Sequence, residues 1–259
     1  MSRTAVIAHV FYPGIWPELA GCVRAIGACD FFATVADDAV AETVRRDFPA
    51  ARIVPCENVG YDVWPFLKVM GSLDPSAYGV VVKLHTKRNV DDGLRYDFNH
   101  VRLYGAAWRN HLLAFARTPA AWARTVAKLS RPSVGMVGDR HLVMRRRDVP
   151  YERAERSFDA AVELMGLQGT DIGRTGQYVA GTMFAAKPAA LRPLLDLGLS
   201  AADFEAPCGH ATETFAHTVE RAFGLSVSKA GLEIAAFNGS LALRRLTFPF
   251  RQGRPWNLL

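Results

Sequence analysis

The sequence predicts an α/β fold in which a mostly parallel, Rossmann-like sheet is flanked by helices. Two continuous apolar runs, at residues 4–11 and 78–84, are typical of strands covered on both faces. Segments with helical spacing alternate with short strands over the first part of the chain, a β-α-β-α rhythm that favours parallel pairing through right-handed crossovers. No repeat, low-complexity tract or long Pro/Gly linker divides the chain, so one domain over residues 1–259 is expected.

The first part of the chain contains four predicted strands. In chain order, strands at 4–11, 31–36, 51–55 and 78–84 alternate with helices at 15–27, 39–48 and 62–73. Asp37 or Asp38 is positioned to cap the second of these helices, and Pro65 lies near the first turn of the third. The remaining elements are predicted helices at 99–116, 119–129, 150–166, 189–197 and 211–224, and strands at 133–138 and 177–187.

Composition narrows the class of protein and of partner. Half of the 259 residues are hydrophobic and the formal net charge is +6, which favours acidic partners such as nucleotides, nucleic acid or anionic membrane. Four scattered cysteines form no CxxC pair, so a reducing cytoplasm is expected. The opening segment, residues 1–16, is a short apolar run interrupted by His9 and Pro13 and is interpreted as a first strand rather than a signal peptide.

Three loops are expected to meet at one edge of the sheet, because ligands of open parallel sheets bind at the carboxyl ends of the strands. Tyr12 follows the first strand, and the sequence ENVGYD follows the third. That second loop supplies Asn58, Gly60, Tyr61 and Asp62. Together these residues can hydrogen-bond a base, let the backbone approach a ligand closely and bind a ribose hydroxyl. The alternative is that these residues only form a turn.

The third loop is basic. Lys83, His85 and Lys87 alternate, so they share one face of an extended segment, with Thr86 between them. Cations placed there can neutralise a diphosphate and stabilise a departing nucleotide. The alternative is a solvated basic loop.

Other binding modes have weaker support. There is no phosphate-binding loop, dinucleotide fingerprint or nucleophile elbow, and the aromatic residues do not interleave with basic runs as in nucleic-acid platforms. Residues 145–147 and the tail at 244–259 combine arginines with aromatic residues and suggest peripheral contact with the inner membrane face. A solvated arginine turn and a packed tail are the alternative.

Five segments of the chain resemble, in order, the rhamnan synthesis protein F family of bacterial polysaccharide biosynthesis. They are HVFYPGIWPEL, ENVGYDVWPFL, YGVVVKLHTKRN, VAGTMFAAKPAALRPLL and FAHTVER. The resemblance implies a cytoplasmic, GT-A-like glycosyltransferase. Its expected reaction moves a sugar, with rhamnose favoured, from a nucleotide-sugar donor to a cell-surface polysaccharide or lipopolysaccharide. It also implies a nucleotide-binding half at about 1–90, an acceptor half at about 130–235 and a tail at 236–259.

The resemblance bears on the metal as well. GT-A enzymes usually hold a metal with an Asp-x-Asp pair at the strand end where this chain has Lys83-Leu84-His85. Basic side chains are therefore expected to replace the metal, and no cofactor is expected. A Mn or Mg ion bound by Asp203, Glu205 and His210 is the alternative.

The second half of the chain is similar to the acceptor half of inverting GT-A enzymes. That similarity implies Glu213 as general base, with Lys87 and His85 assisting the leaving diphosphate. The acceptor-side residues implied are Gly181, Thr182, Asp203, Glu205, His217 and Arg221. Glu213 can instead complement a helix dipole. Two other functions stay open, a non-catalytic nucleotide- or glycan-binding module and, third, a nucleic-acid-binding protein, although no nucleic-acid partner is expected.

Overall fold

The computed structural model describes residues 3–87, 96–98, 101–103, 106–146, 152–205 and 214–239. The strands are β1 (Arg3–Val10), β2 (Asp30–Val35), β3 (Arg52–Pro55), β4 (Tyr78–His85), β5 (Tyr96–Phe98), β6 (Val101–Leu103), β7 (Val134–Gly138), β8 (Val143–Arg145), β9 (Gln177–Val179), β10 (Phe184–Ala186) and β11 (Glu233–Ala236). The helices are α1 (Trp16–Ile26), α2 (Asp38–Asp47), α3 (Val63–Ser72), α4 (Ala106–Leu113), α5 (Pro119–Leu129), α6 (Glu152–Leu164), α7 (Asp171–Thr175), α8 (Pro188–Leu195) and α9 (Phe215–Lys229).

In the described part of the chain, seven strands form the central sheet, in the order β11-β7-β10-β4-β1-β2-β3. Every neighbouring pair is parallel except the two pairs made by β10, which runs antiparallel to both β4 and β7. The predicted mostly parallel α/β sheet is therefore confirmed. Two small antiparallel pairs, β5–β6 and β8–β9, lie outside this sheet.

Helices cover both faces of the sheet. The chain proceeds outward from β1 to β3 and then returns to β4 on the other side of β1, so right-handed crossovers place α3 opposite α1 and α2. Each face has its own aromatic cluster: Trp16 stacks near Phe31 at 6.2 Å on one side. On the other, Phe66, Phe184 and Phe223 pack edge to face.

Of the two residues predicted to cap α2, Asp37 is the N-cap. Its carboxylate accepts a hydrogen bond from the Val40 backbone N–H at 2.8 Å. Pro65 lies in the first turn of α3, where its missing N–H removes no helical hydrogen bond.

Three sequence-based boundaries are wrong. The helix predicted at 99–116 begins only at Ala106, because apolar residues alternate with polar ones at 96–98 and 101–103, which form β5 and β6. The strand predicted at 177–187 is two strands, β9 and β10, separated by a turn at Gly181. The last helix, predicted at 211–224, begins at Phe215 and continues to Lys229.

Several predicted features lie outside the described residues. These are Glu213, His210, the third arginine of the 145–147 run and the tail at 244–259. Within the described part of the chain, no helix combines the length and the apolarity needed to cross a membrane.

Candidate functional site

The carboxyl ends of β1 and β4 lie side by side at the point where the strand order reverses. In register, His9 of β1 pairs with His85 of β4, and Lys83 of β4 pairs with Phe184 of β10. Because β10 is antiparallel, its first residue and the turn before it lie at this same edge. Segments far apart in sequence therefore meet where open α/β sheets bind ligands.

Thr86 joins the ends of these two strands. Its hydroxyl oxygen accepts hydrogen bonds from the backbone N–H groups of Phe11 and Tyr12 at 2.8 and 2.9 Å. Its own backbone N–H donates to the His9 carbonyl at 3.0 Å. Thr86 is buried, so its hydroxyl serves the fold here, and donor-binding roles for Thr86 and Tyr12 stay predictions.

An ion pair is buried beneath the edge of the sheet. Lys83 is only 1% exposed, and its ammonium group donates to the carboxylate of Asp62 and, at 2.9 Å, to the hydroxyl of Thr182. The Thr182 hydroxyl in turn donates to the same carboxylate. Asp62 immediately precedes α3 and Thr182 lies in the turn before β10, so one network connects three elements.

Electrostatics keep this pair ionised. Burial raises the pKa of the Asp62 carboxyl, but His85, which is charged only in acid, and the cations Lys83 and Lys87 outweigh that effect, so the pKa lies well below its usual value. Burial lowers the pKa of Lys83, and the adjacent carboxylate opposes the change. The charge of Lys83 is thus balanced inside the protein, and contact between Lys83 and a diphosphate stays a prediction.

His85 contributes a hydrogen bond rather than a charge. It is 2% exposed, and its Nε2–H donates to the Gly181 carbonyl at 2.9 Å. Burial lowers the pKa of His85 to about 3, so the ring is neutral near pH 7. The pKa of His9, beside it on β1, is lowered by burial to about 4.

The backbone is strained on both sides of the ion pair. Tyr61 and Thr182 have φ values of 54° and 51°, in the left-handed region that side chains other than glycine rarely adopt. Each such residue costs about 1–3 kcal/mol and persists only where surrounding contacts impose it. Glycine is required at position 60 because the Phe204 ring packs against the backbone there, and a Cβ would lie 2.7 Å from that ring. Asn58 is exposed in the same loop.

Glu220 links this network to α9 and was missed by the sequence analysis. Its carboxylate accepts from the Gly181 backbone N–H at 2.7 Å and pairs with Arg221 at 3.1 Å. Arg221 is buried, with its guanidinium 4.9 Å from the Tyr178 ring. The sequence offered one indication of this role, since Glu220 directly precedes Arg221 in the FAHTVER segment.

His217 also lies near the edge. Its Nδ1 is 2.9 Å from the hydroxyl of Thr214, and its ring is 6.1 Å from that of Tyr61. Burial is the main cause that lowers its pKa.

Lys87 presents a partly exposed cation beside the network. Its ammonium group lies 5.0 Å from the ring centroid of Trp108 on α4. Its carbonyl accepts from Arg109 at 3.4 Å, and Arg109 is itself held by the Glu18 carboxylate at 2.6 and 2.9 Å. The backbone at Lys87 is therefore anchored, and the residue is partly exposed.

Asp203 and Glu205 have local structural partners. Asp203 accepts from the backbone N–H and the hydroxyl of Ser200 at 2.7 and 2.9 Å. Glu205 accepts from the Phe215 backbone N–H at 3.0 Å, at the start of α9. Within the described residues, neither belongs to a group of three or more potential metal ligands.

Comparison with protein families gives a match over nearly the whole chain. The model described as rhamnan synthesis protein F matches residues 1–231. The chain belongs to the rhamnan synthesis protein F family. The description of this family names the synthesis of a polysaccharide, rhamnan.

Similar curated proteins extend well beyond this chain. The chain is 29% identical to "Uncharacterized protein WxcX" of Xanthomonas campestris pv. campestris strain B100 over 96% of its own length, and 28% identical to the WxcX protein of a second strain. It spans 35% of the length of these relatives. Among solved structures, CMP:2-keto-3-deoxy-manno-octonic acid synthetase complexed with CTP aligns with a TM-score of 0.45 at 10% identity. That alignment covers 95% of this chain and 98% of that one.

The rhamnan synthesis F motifs can now be located in the structure. ENVGYD contains Asp62, KLHTK contains Lys83 and His85, and AGTMF contains Gly181 and Thr182. Asp62, Lys83 and Thr182 share one hydrogen-bonded network, and His85 bonds to the carbonyl of Gly181, the residue before Thr182. Glu213 lies outside the described residues, so its assignment as general base stays a prediction.

Proposed function

We propose that this rhamnan synthesis F protein is a GT-A-like glycosyltransferase domain that uses a nucleotide-sugar donor. The acceptor is a growing cell-surface polysaccharide or lipopolysaccharide, and the family favours rhamnose as the sugar. The observation that carries the proposal is the Asp62–Lys83–Thr182 network at the junction of β1 and β4. A buried charged network beside strained backbone at such a junction is typical of a binding site.

Each part of the edge has a role in the proposal. Lys83 keeps Asp62 ionised and oriented, and that carboxylate then accepts a hydroxyl hydrogen bond from the donor. Lys87, a partly exposed residue, contacts the diphosphate and stabilises the charge that develops as the nucleotide departs. His85, neutral, fixes the turn at Gly181. Because Lys83 and His85 occupy the expected Asp-x-Asp position, no metal is assigned to this strand end.

Binding and turnover of a panel of nucleotide sugars test the proposal. A donor that binds should raise the melting temperature by mass action, and transfer or slow hydrolysis should release free nucleotide. Lys87→Ala should weaken donor binding about 10-fold or more, equivalent to about 1.4 kcal/mol, because it removes a cation from the diphosphate. Lys128→Ala is the matched control, since Lys128 is a similarly half-buried lysine on α5.

The possible results separate the functions. Tight donor binding without turnover would favour a non-catalytic binding module. Equal donor binding by Lys87→Ala and Lys128→Ala would reject the role of Lys87. Failure to bind any nucleotide sugar, together with salt-dependent binding of unrelated oligonucleotides, would overturn the proposal in favour of nucleic-acid binding.

A further inference from the structure

Two histidines and an aspartate meet at a second strand end on the same edge of the sheet. Asp139 directly follows β7, which runs parallel to β4, and His141 lies two residues further on. His111 comes from α4. One ligand atom from each of the three side chains lies within 4.8 Å of the other two. We propose that His111, Asp139 and His141 bind a transition-metal dication, with Zn²⁺ the first candidate.

The aspartate is fixed in the orientation that a ligand needs. The side chain of Asp139 is fully buried, and its Oδ1 accepts from the His141 backbone N–H at 2.8 Å. Its Oδ2 lies 3.1 Å from Nδ1 of His111. Two ligand atoms bound to one metal at about 2.0–2.2 Å are typically about 3–3.5 Å apart, so this pair already has the spacing of neighbouring ligands.

The second histidine presents an unprotonated nitrogen. Nε2 of His141 accepts a hydrogen bond from Nε of Arg140 at 3.1 Å, which requires a lone pair on that nitrogen. A metal ligand needs the same neutral form. The Arg140 guanidinium thus places a positive charge at this ring, with which a bound metal ion would compete.

The donor set selects the class of ion. Imidazole nitrogen combined with one carboxylate suits Zn²⁺ and related transition metals, whereas Mg²⁺ and Ca²⁺ prefer all-oxygen surroundings. Three protein ligands leave a coordination position open for water or a substrate oxygen. His111 and His141 are partly exposed, so that position is accessible.

The site adjoins the Asp62–Lys83–Thr182 network without depending on it. Leu112, next to His111, packs so close to Gly181 that a Cβ at Gly181 would lie 2.6 Å from its methyl group. Metal binding can be measured without any sugar donor, so its outcome is independent of the proposed transfer reaction.

The test is metal binding by untagged, metal-stripped full chain. We expect one Zn²⁺ per chain by calorimetry and elemental analysis, and a visible Co²⁺ spectrum without thiolate charge-transfer bands. His111→Ala and His141→Ala should each weaken binding about 10-fold or more, with a melting temperature near wild type. Arg140→Ala should strengthen binding, because it removes a competing cation. A purely structural histidine–aspartate pair predicts no such gain.

Asp203→Asn is the control variant, since Asp203 is the exposed aspartate of the alternative metal site. It should bind Zn²⁺ like wild type. Substoichiometric binding by the wild-type chain would overturn the proposal. Binding that is unchanged in both histidine variants, or lost in Asp203→Asn, would also overturn it by placing the metal elsewhere.

Discussion

Replacing Lys83 with methionine should destabilise the protein far more than removing a surface charge. Methionine fits the apolar surroundings of the Lys83 side chain, whose ammonium lies 5.6 Å from the Phe66 ring and 6.0 Å from the Phe223 ring. The substitution leaves the Asp62 carboxylate, only 14% exposed, without its counter-charge. Breaking one partner of a buried pair costs about 3–5 kcal/mol, and we expect that loss in the free energy of unfolding.

The double variant determines whether the pair itself is responsible. Asp62→Asn alone leaves the Lys83 ammonium buried without a counter-charge and should lower the free energy of unfolding by a similar amount. Lys83→Met combined with Asp62→Asn removes both charges. The double variant should therefore be more stable than the sum of the single effects by about 2 kcal/mol or more. Urea denaturation of all four proteins measures this coupling.

The pH dependence and a surface pair supply the controls. In Lys83→Met the unpaired Asp62 carboxyl takes up a proton as the pH falls. The loss in free energy of unfolding relative to wild type should therefore become smaller between pH 8 and pH 5. The exposed pair Arg192–Asp196, with side chains 66% and 54% exposed, should show a coupling below about 0.5 kcal/mol. Wild-type stability in Lys83→Met, or no more coupling than at the surface pair, would refute the reasoning.

Three further predictions concern protonation, backbone and catalysis. Burial lowers the pKa of His9 to about 4 and that of His85 to about 3, so the free energy of unfolding should fall as pH drops below about 6.5. The expected slope is up to ~3 kcal/mol per pH unit for the two histidines together. Urea denaturation at several pH values should show a shallower slope for His85→Gln. Gly60→Ala should lower stability by roughly 1–3 kcal/mol more than Gly27→Ala in the same titrations, because both glycines have positive φ but only Gly60 meets a neighbouring side chain. Glu213→Gln should reduce sugar transfer by roughly 100-fold or more with donor affinity retained, and transfer at the wild-type rate would place the general base elsewhere.

The sequence predicted the sheet well because its central strands carry an unambiguous pattern. Residues 4–11 and 78–84 are nearly continuous apolar runs, interrupted by His9 in the first and Lys83 in the second, a pattern typical of strands covered on both faces. The strands β8 and β11 are short, with three and four residues, and their pairing depends on distant partners. Local periodicity could not predict them.

The site was predicted in part, since strand ends can be located from sequence but side-chain partners cannot. The alternation of Lys83, His85 and Lys87 suggested that three positively charged side chains contact one bound diphosphate. Burial instead neutralises His85 and pairs Lys83 with Asp62, and both effects depend on tertiary packing. The group around Asp139 was missed, although Asp-Arg-His directly after the apolar run at 133–138 has the same strand-end position as Lys83.

The antiparallel strand β10 has a consequence for how the protein is made. Strands β1 to β4 are complete once residue 85 has been synthesised, but the neighbour of β4 on its other side arrives only about a hundred residues later, with Phe184–Ala186. During that interval the nascent chain carries an open strand edge and a Lys83–Asp62 pair that lacks its Thr182 partner. Open edges of this kind invite pairing with other chains. Translation of the segment between β4 and β10 is therefore the period in which this strand edge is open to pairing with other chains.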